Sequence, residues 1–413
     1  MKITIYILLF FFATNLFAQE IILPPDTIKT IQLNSSIKGV FTPIIPLNGS
    51  LHLSFDDLEA DEKDYYYQIE HCDMNWETSD LVTTEFVNGY AEERIKDYEN
   101  SFNTLQDYTH YELRIPNKNT RLLISGNYRI SILNDDYETV FTRYFVVYES
   151  LATVGVSVHR SRDVSYIDSQ QSIQFSINHP GLHINNPRDE IKPVILQNND
   201  FSTQIVGLKP QFIRGNQLLY KYDKETAFWG GNEFLHFDTK EIRTTNLNIA
   251  KIISGENLYH TLLYTNIVRK HDPYTYYPDI NGGFVIRNLN AETQETESDY
   301  SWVHFSLKVY EPFQKKEVYI YGTFNNYQLA EENRMIYNSK TGTYDASILC
   351  KQGFYNYKYV TLDEDNTINS TTVSGSFDET ENDYLVLVYY SKFGSYYDRV
   401  IGVGRGNSKN LSQ

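Results

Sequence analysis

Residues Asn127–Tyr148 read NYRISILNDDYETVFTRYFVVY. Tyr128, Ile130 and Ile132 fall on one face of an extended chain, and Arg129 and Ser131 on the other. The acidic NDDYE is a turn, and VFTRYFVVY returns as the next strand. Alternation of period two on both sides of a turn predicts a β-hairpin. The same pattern recurs in SIQFSIN (172–178), EVYIYGTF (317–324), YNYKYV (355–360) and DYLVLVYY (383–390). Helical periodicity is scarce, and AEERIKDYENSF (91–102) is the best short helix or turn candidate. Short strands separated by Asn, Asp and Gly predict an all-β protein of consecutive β-sandwiches.

Lapses in strand patterning divide the chain. Lys2, the apolar run Ile3–Phe12 and the small Ala18 form a secretory signal peptide, 1–18, with cleavage after Ala18. Three sandwiches of immunoglobulin-like or early-set type follow, at 19–150, 151–290 and 298–395. The acidic stretch 291–297 reads as a linker, and 396–413 as a flexible tail. No later run reaches the ~18 apolar residues of a membrane-spanning helix. The polar loops and the ending RGNSKNLSQ argue against a membrane barrel.

A net charge of −17 repels phosphates and argues against nucleic acid as a partner. Cys72 and Cys350 are the only cysteines, too few for a disulfide framework, and read as small buried residues. His71, Cys72 and Asp73 stand in a row, but neighbours on a strand point to opposite faces and cannot easily share an ion. The stretch LEADEKDYYYQ (58–68) reads as a solvated acidic loop entering a strand. No G-x-S-x-G elbow, H-E-x-x-H pair or phosphate-binding glycine pattern occurs, so neither catalytic residues, metal, cofactor nor small-molecule substrate are expected. FWGGNEFLHFD (228–238) stands out. Gly230 and Gly231 imply unusual backbone angles or close approach by another chain. The stretch is either a tight turn anchored by Trp229 and Phe234, or an exposed loop whose Trp229, Gly230, Gly231 and Asn232 contact a partner.

VYIYGTFNNY (318–327), then Met335, then GTYDASILCKQGFYNYKYV (342–360) resemble the starch- and glycogen-binding early-set sandwiches in residue order. That resemblance implies a glucose-stacking role for Tyr327 and a glucan hydrogen bond for Lys358. The position of the second stacking aromatic falls in LDEDNTI (362–368), which has none. The site is therefore expected to be vestigial, with Tyr327 becoming a candidate protein contact, and a glycan-binding accessory module is the alternative function.

A second resemblance runs nearly end to end. YYYQIEHCDMNWETSDL, GYAEERIKDYENSFNTLQDYTHYELRIPN, SGNYRISIL, TRYFVVYE, NPRDEIKPVILQNN, FWGGNEFLHFD, DINGGFVI, VYIYGTFNNY and KQGFYNYKYV look like the plug proteins of the Bacteroidota type IX secretion system. The resemblance implies a non-enzymatic protein in the periplasm, peripheral to the outer membrane. There it would close the periplasmic mouth of a very large β-barrel translocon. The 35 tyrosines suit such a contact, since Tyr gives large area at small rotamer cost.

Overall fold

The structure is a computed structural model that describes residues 21–36 and 42–410. The signal-peptide expectation lies outside the described residues. The chain is all-β. The opening hairpin is present: Gly126–Leu133 pairs antiparallel with Thr139–Tyr148, Tyr128 opposite Phe145 and Ile132 opposite Phe141. Tyr128, Ile130 and Ile132 are fully buried. AEERIKDYENSF is not helical. It forms the strands Glu92–Arg94 and Asp97–Asn100, which pair with Tyr66–Cys72 and Thr109–Ile115. Pairing with two sheets outweighs its weak helical pattern.

In the N-terminal unit, one sheet orders Ile28–Ser35, Leu51–Asp57, Thr109–Ile115 and Asp97–Asn100. The other orders Ile44–Pro46, Thr139–Tyr148, Gly126–Leu133, Tyr66–Cys72 and Glu92–Arg94. Their inward residues, among them Leu53, Phe55, Tyr67, Tyr111, Ile130 and Phe141, form one core.

The middle unit is discontinuous. One of its sheets is built on Thr153–Arg160, Gln170–Asn178 and Gln217–Tyr220. The facing sheet orders Asp200–Ile205, Ile191–Gln197, Asp383–Tyr390 and Arg399–Asn407. Ile173, Phe175 and Ile177 pack there against Val386, Val388 and Ile401. The expected cut at 290 and the expected tail at 396 are both corrected. Residues 383–407 return as two core strands of the middle unit, because one edge of Ile191–Gln197, whose other edge pairs with Asp200–Ile205, would otherwise be open.

Residues 235–377 form the third unit, whose eleven-stranded sheet wraps around a core including Phe237, Val303, Ile320, Tyr355, Tyr357 and Tyr359. Leu235–Asp238, expected in the middle sandwich, pairs with Gly353–Leu362 in this sheet. Tyr355, Tyr357 and Tyr359, alternate residues of Gly353–Leu362, all point into this core.

The units are fixed to one another. The second face of the N-terminal hairpin is covered, Tyr144, Val146 and Trp76 packing against Val194, Leu196, Leu385, Leu387 and Tyr389 of the middle unit. Tyr389 OH donates to Asn127 Oδ1 (2.7 Å), and Arg399 makes a two-pronged ion pair with Glu149 (3.0 and 2.7 Å). A buried charge cluster joins the N-terminal and third units. Lys351 Nζ lies 2.7 Å from Asp56 Oδ2, and the two residues are 1% and 0% exposed. Asp56 also accepts from Tyr300 OH (2.5 Å) and bonds His110 Nδ1 (2.6 Å). The expected linker at 291–297 contributes too. Its Glu295 carbonyl accepts from Lys351 Nζ and Tyr108 OH, and the Thr296 carbonyl from Phe102 N–H, so it is a packed segment and not a free tether.

Candidate functional site

The chain passes from the middle to the third unit through FWGGNEF and returns through residues 376–382. The two passages lie side by side. Phe377 N–H donates to the Gly231 carbonyl (2.9 Å), Gly231 N–H to Ser376 Oγ (3.0 Å) and Asn382 Nδ2 to the Gly230 carbonyl (2.8 Å). Both reasons for glycine apply. A Cβ at Gly230 would overlap the Phe377 carbonyl, while Gly231 has φ +67° with open space around it. The close neighbour is another segment of the same chain. Asn232 Nδ2 donates to the Ser374 carbonyl (2.8 Å), which ties the two passages together once more.

Beyond the crossing, Phe234 enters a polar and aromatic junction. Lys358 Nζ sits 5.2 Å from the Phe234 ring centre and 5.4 Å from that of Tyr321. Burial holds the Lys358 ammonium below its ordinary pKa, with Asp200 opposing. Tyr327 packs on Tyr321 at 5.1 Å, and its hydroxyl donates to the Asn198 carbonyl of the middle unit (3.2 Å). Tyr327 and Lys358 do come together, around Tyr321, but as joints between units. Tyr327 is half-buried: its hydroxyl meets the middle unit, and desolvation raises its pKa well above the usual range. Gly282 makes room for this arrangement, since a Cβ there would press on Tyr327 and Phe234.

Two carboxylates missed in the sequence reading lie at the same junction. Glu233, 1% exposed, accepts from Tyr274 OH (2.5 Å) and Glu381 N–H (3.0 Å). Asp279 accepts from the N–H groups of Phe234 and Asn281, both at 2.7 Å. Burial raises the pKa of both, and the charge of Glu233 helps push Asp279 to about 7. In a chain this acidic, nothing in the sequence separates them from solvated carboxylates.

Trp229 alone of the predicted contacts stays broadly exposed, at 46%. Its ring meets Tyr166 edge-on at 5.6 Å, and Val164 is exposed two residues from that tyrosine. His71 and Cys72 are buried, His71 Nδ1 bonding Ser79 Oγ (2.9 Å), while Asp73 caps its own turn through Asn75 and Glu77 N–H. Cys72 and Cys350 are free and buried. The carboxylates of Asp57, Glu59 and Asp61 converge, with the Lys63 ammonium among them.

Residues 28–149 match the family model described as "Type 9 secretion system plug protein 1st domain". The chain thus carries the first domain of a type IX secretion system plug protein. A crystal structure of a hypothetical protein from Parabacteroides merdae ATCC 43184 is similar throughout, with TM-score 0.90 and 31% identity, covering 94% of this chain and 98% of that one. A biofilm-associated protein BSP domain aligns at 9% identity, covering 93% of this chain and 96% of that one, but its TM-score of 0.14 carries no argument. A comparison with curated proteins found no match. A plug first domain implies association with a secretion system. Among the described residues no helix is long and apolar enough to cross a membrane.

Proposed function

We propose that this protein is a non-enzymatic subunit in the periplasm that binds and seals the periplasmic mouth of the outer-membrane β-barrel translocon of a type IX secretion system. The observation that carries the reading is the plug first domain on a chain whose units are joined by buried contacts. A seal must resist deformation across its width, and packed sheets with buried cross-links do so better than domains on flexible tethers. The exposed Trp229, flanked by Tyr166, is the contact we assign to the barrel rim.

Affinity recovery of the tagged protein from detergent-solubilised membranes of its native host tests this. A very large outer-membrane barrel should co-purify in stoichiometric amount. Recovery of the protein without any such barrel would refute the reading. Nothing favours the glycan alternative: Lys358 lies against the Phe234 and Tyr321 rings, and the Tyr327 hydroxyl bonds the middle unit.

A further inference from the structure

The N-terminal and third units leave a cavity of about 250 Å³ between them. Its walls include Ile31 and Arg143 of the N-terminal unit and Phe284, Phe324, Asn326 and Ile348 of the third. A neighbouring cavity of about 110 Å³ shares Ile31, Arg143, Phe284 and Asn326 with it and reaches Phe201 of the middle unit. Arg143 is the cation common to both.

Arg143 lies opposite Ile130 in the hairpin Gly126–Leu133/Thr139–Tyr148, on the face that fills the N-terminal core. A guanidinium is too costly to leave in that core, and its long stem carries it out to the two cavities instead. Its Nη1 donates to the Thr142 carbonyl (2.8 Å), and its Cζ stands 5.3 Å from the Phe141 ring centre. The chain has 53 acidic residues, yet none of those described pairs with Arg143. Burial lowers its pKa to about 10 with no neighbouring charge opposing the shift, so at neutral pH it is an uncompensated cation. Such a cation costs stability, and an incoming anion would restore it.

Two features of the walls point the same way. Thr30 has φ +53°, a strained conformation for a β-branched residue, where the strand pairing shifts register between Lys29 and Gln32. It lines the larger cavity and shares a hydrogen bond with Tyr300 OH (2.6 Å). Strain held at a cavity wall is a pointer to a ligand contact. Asn326, with φ +53°, lines both cavities, and its side-chain amide has no partner among the described residues. It offers a donor beside the guanidinium.

We propose that Arg143 and Asn326 bind the carboxylate of a small apolar monocarboxylic acid, whose body lies against Phe284, Phe324 and Ile348. The planar fork of Arg matches a carboxylate with two parallel hydrogen bonds. The other charges on the wall narrow the class. Asp26, Glu331 and Glu332 are exposed there, Glu332 pairing with Lys29 and Glu331 with Arg334. They repel phosphate and other polyanions more than a single carboxylate, whose apolar body also gains from burial.

Calorimetric titration of the full chain with phenylpropionate and with octanoate tests the site. Each acid should bind saturably at neutral pH. The corresponding amides keep the shape and lose the charge, so they should bind at least ~10-fold more weakly. Arg143→Gln should weaken both acids by ~10–100-fold, and inorganic phosphate should not compete. A merely structural Arg143 would be missed by the empty protein, whereas loss of an uncompensated cation should leave the melting temperature within ~2 °C of the parent or raise it. Failure of both acids to saturate, amides that bind as tightly as acids, or unchanged affinity in Arg143→Gln would overturn the proposal. Equal competition by phosphate would overturn the choice of a monocarboxylate. The acid and amide comparison uses the parent protein, so it decides the matter even if a variant fails to fold.

Discussion

Replacing Lys351 by Met probes the joint between the N-terminal and third units. The substitution keeps the buried stem and removes the ammonium that lies 2.7 Å from Asp56 Oδ2 and 4.0 Å from the Tyr108 ring centre. Removing one partner of a buried pair costs ~3–5 kcal/mol, because the other charge stays behind unpaired. Here Asp56 retains His110. Burial pushes the His110 pKa down, but its hydrogen bond to Asp56 and the Glu112 carboxylate 3.7 Å away outweigh this and raise it to about 8. At pH 6.5 His110 is cationic and partly compensates Asp56, so the cost should be near ~3 kcal/mol, the low end of the range. A raised histidine pKa gives stability that is complete below its unfolded value and is lost as pH rises through the folded one. Without the repulsion of Lys351 the His110 pKa rises further, so the variant loses more above pH 8 than the parent does. Its deficit should then approach ~5 kcal/mol at pH 9.5. Urea unfolding followed by fluorescence at both pH values measures this. Asp56→Asn should cost ~3–5 kcal/mol by stranding Lys351. The double variant should recover ~2 kcal/mol relative to the sum of the two single changes. A deficit under ~1 kcal/mol, flat with pH, or strictly additive changes would refute the view that this cluster bonds the units.

Gly231→Ala should cost ~1–2 kcal/mol for its left-handed backbone, whereas Gly230→Ala should cost more, because its methyl has nowhere to go but into the Phe377 carbonyl; thermal melts rank the two. Asp279, raised to about 7, stabilises the fold in its protonated form, so stability should fall as pH rises through 7 by up to ~1.4 kcal/mol per unit. Asp279→Asn should remove that slope in the difference between parent and variant, read by urea midpoints from pH 5 to 8. Trp229→Ala should leave the melting temperature within ~2 °C, since the ring is half exposed, yet reduce co-purification of the barrel; undiminished recovery would remove Trp229 from the proposed rim contact.

Local pattern was enough for what depends on neighbours in the chain. The alternation of Tyr128, Ile130 and Ile132 predicted the central hairpin and its buried face, because strand side chains alternate whatever the strand packs against. The glycine pair at 230–231 declared an unusual backbone, and the order of residues around VYIYGTFNNY pointed to its resemblance. What the second face of a strand meets, and which distant strand completes a sheet, are not local properties. PVILQ and YLVLVYY read as nearly continuous apolar runs because one face fills the middle core while the other packs on the N-terminal unit. Residues 383–407 rejoin Ile191–Gln197 across the whole third unit, and no spacing announces a partner that far away. Tyr327 and Lys358 likewise sit where a sugar site would in similar sequences, but the middle unit and neighbouring aromatic rings occupy their surroundings. Asp56 and Lys351 look like any other surface charges in so acidic a chain until packing removes water from both. Sterics and periodicity, both local to the residue order, set the strands and the places where the backbone had to bend. Which charged and aromatic residues became joints between units followed only from packing, which removed water from some of them and left others exposed.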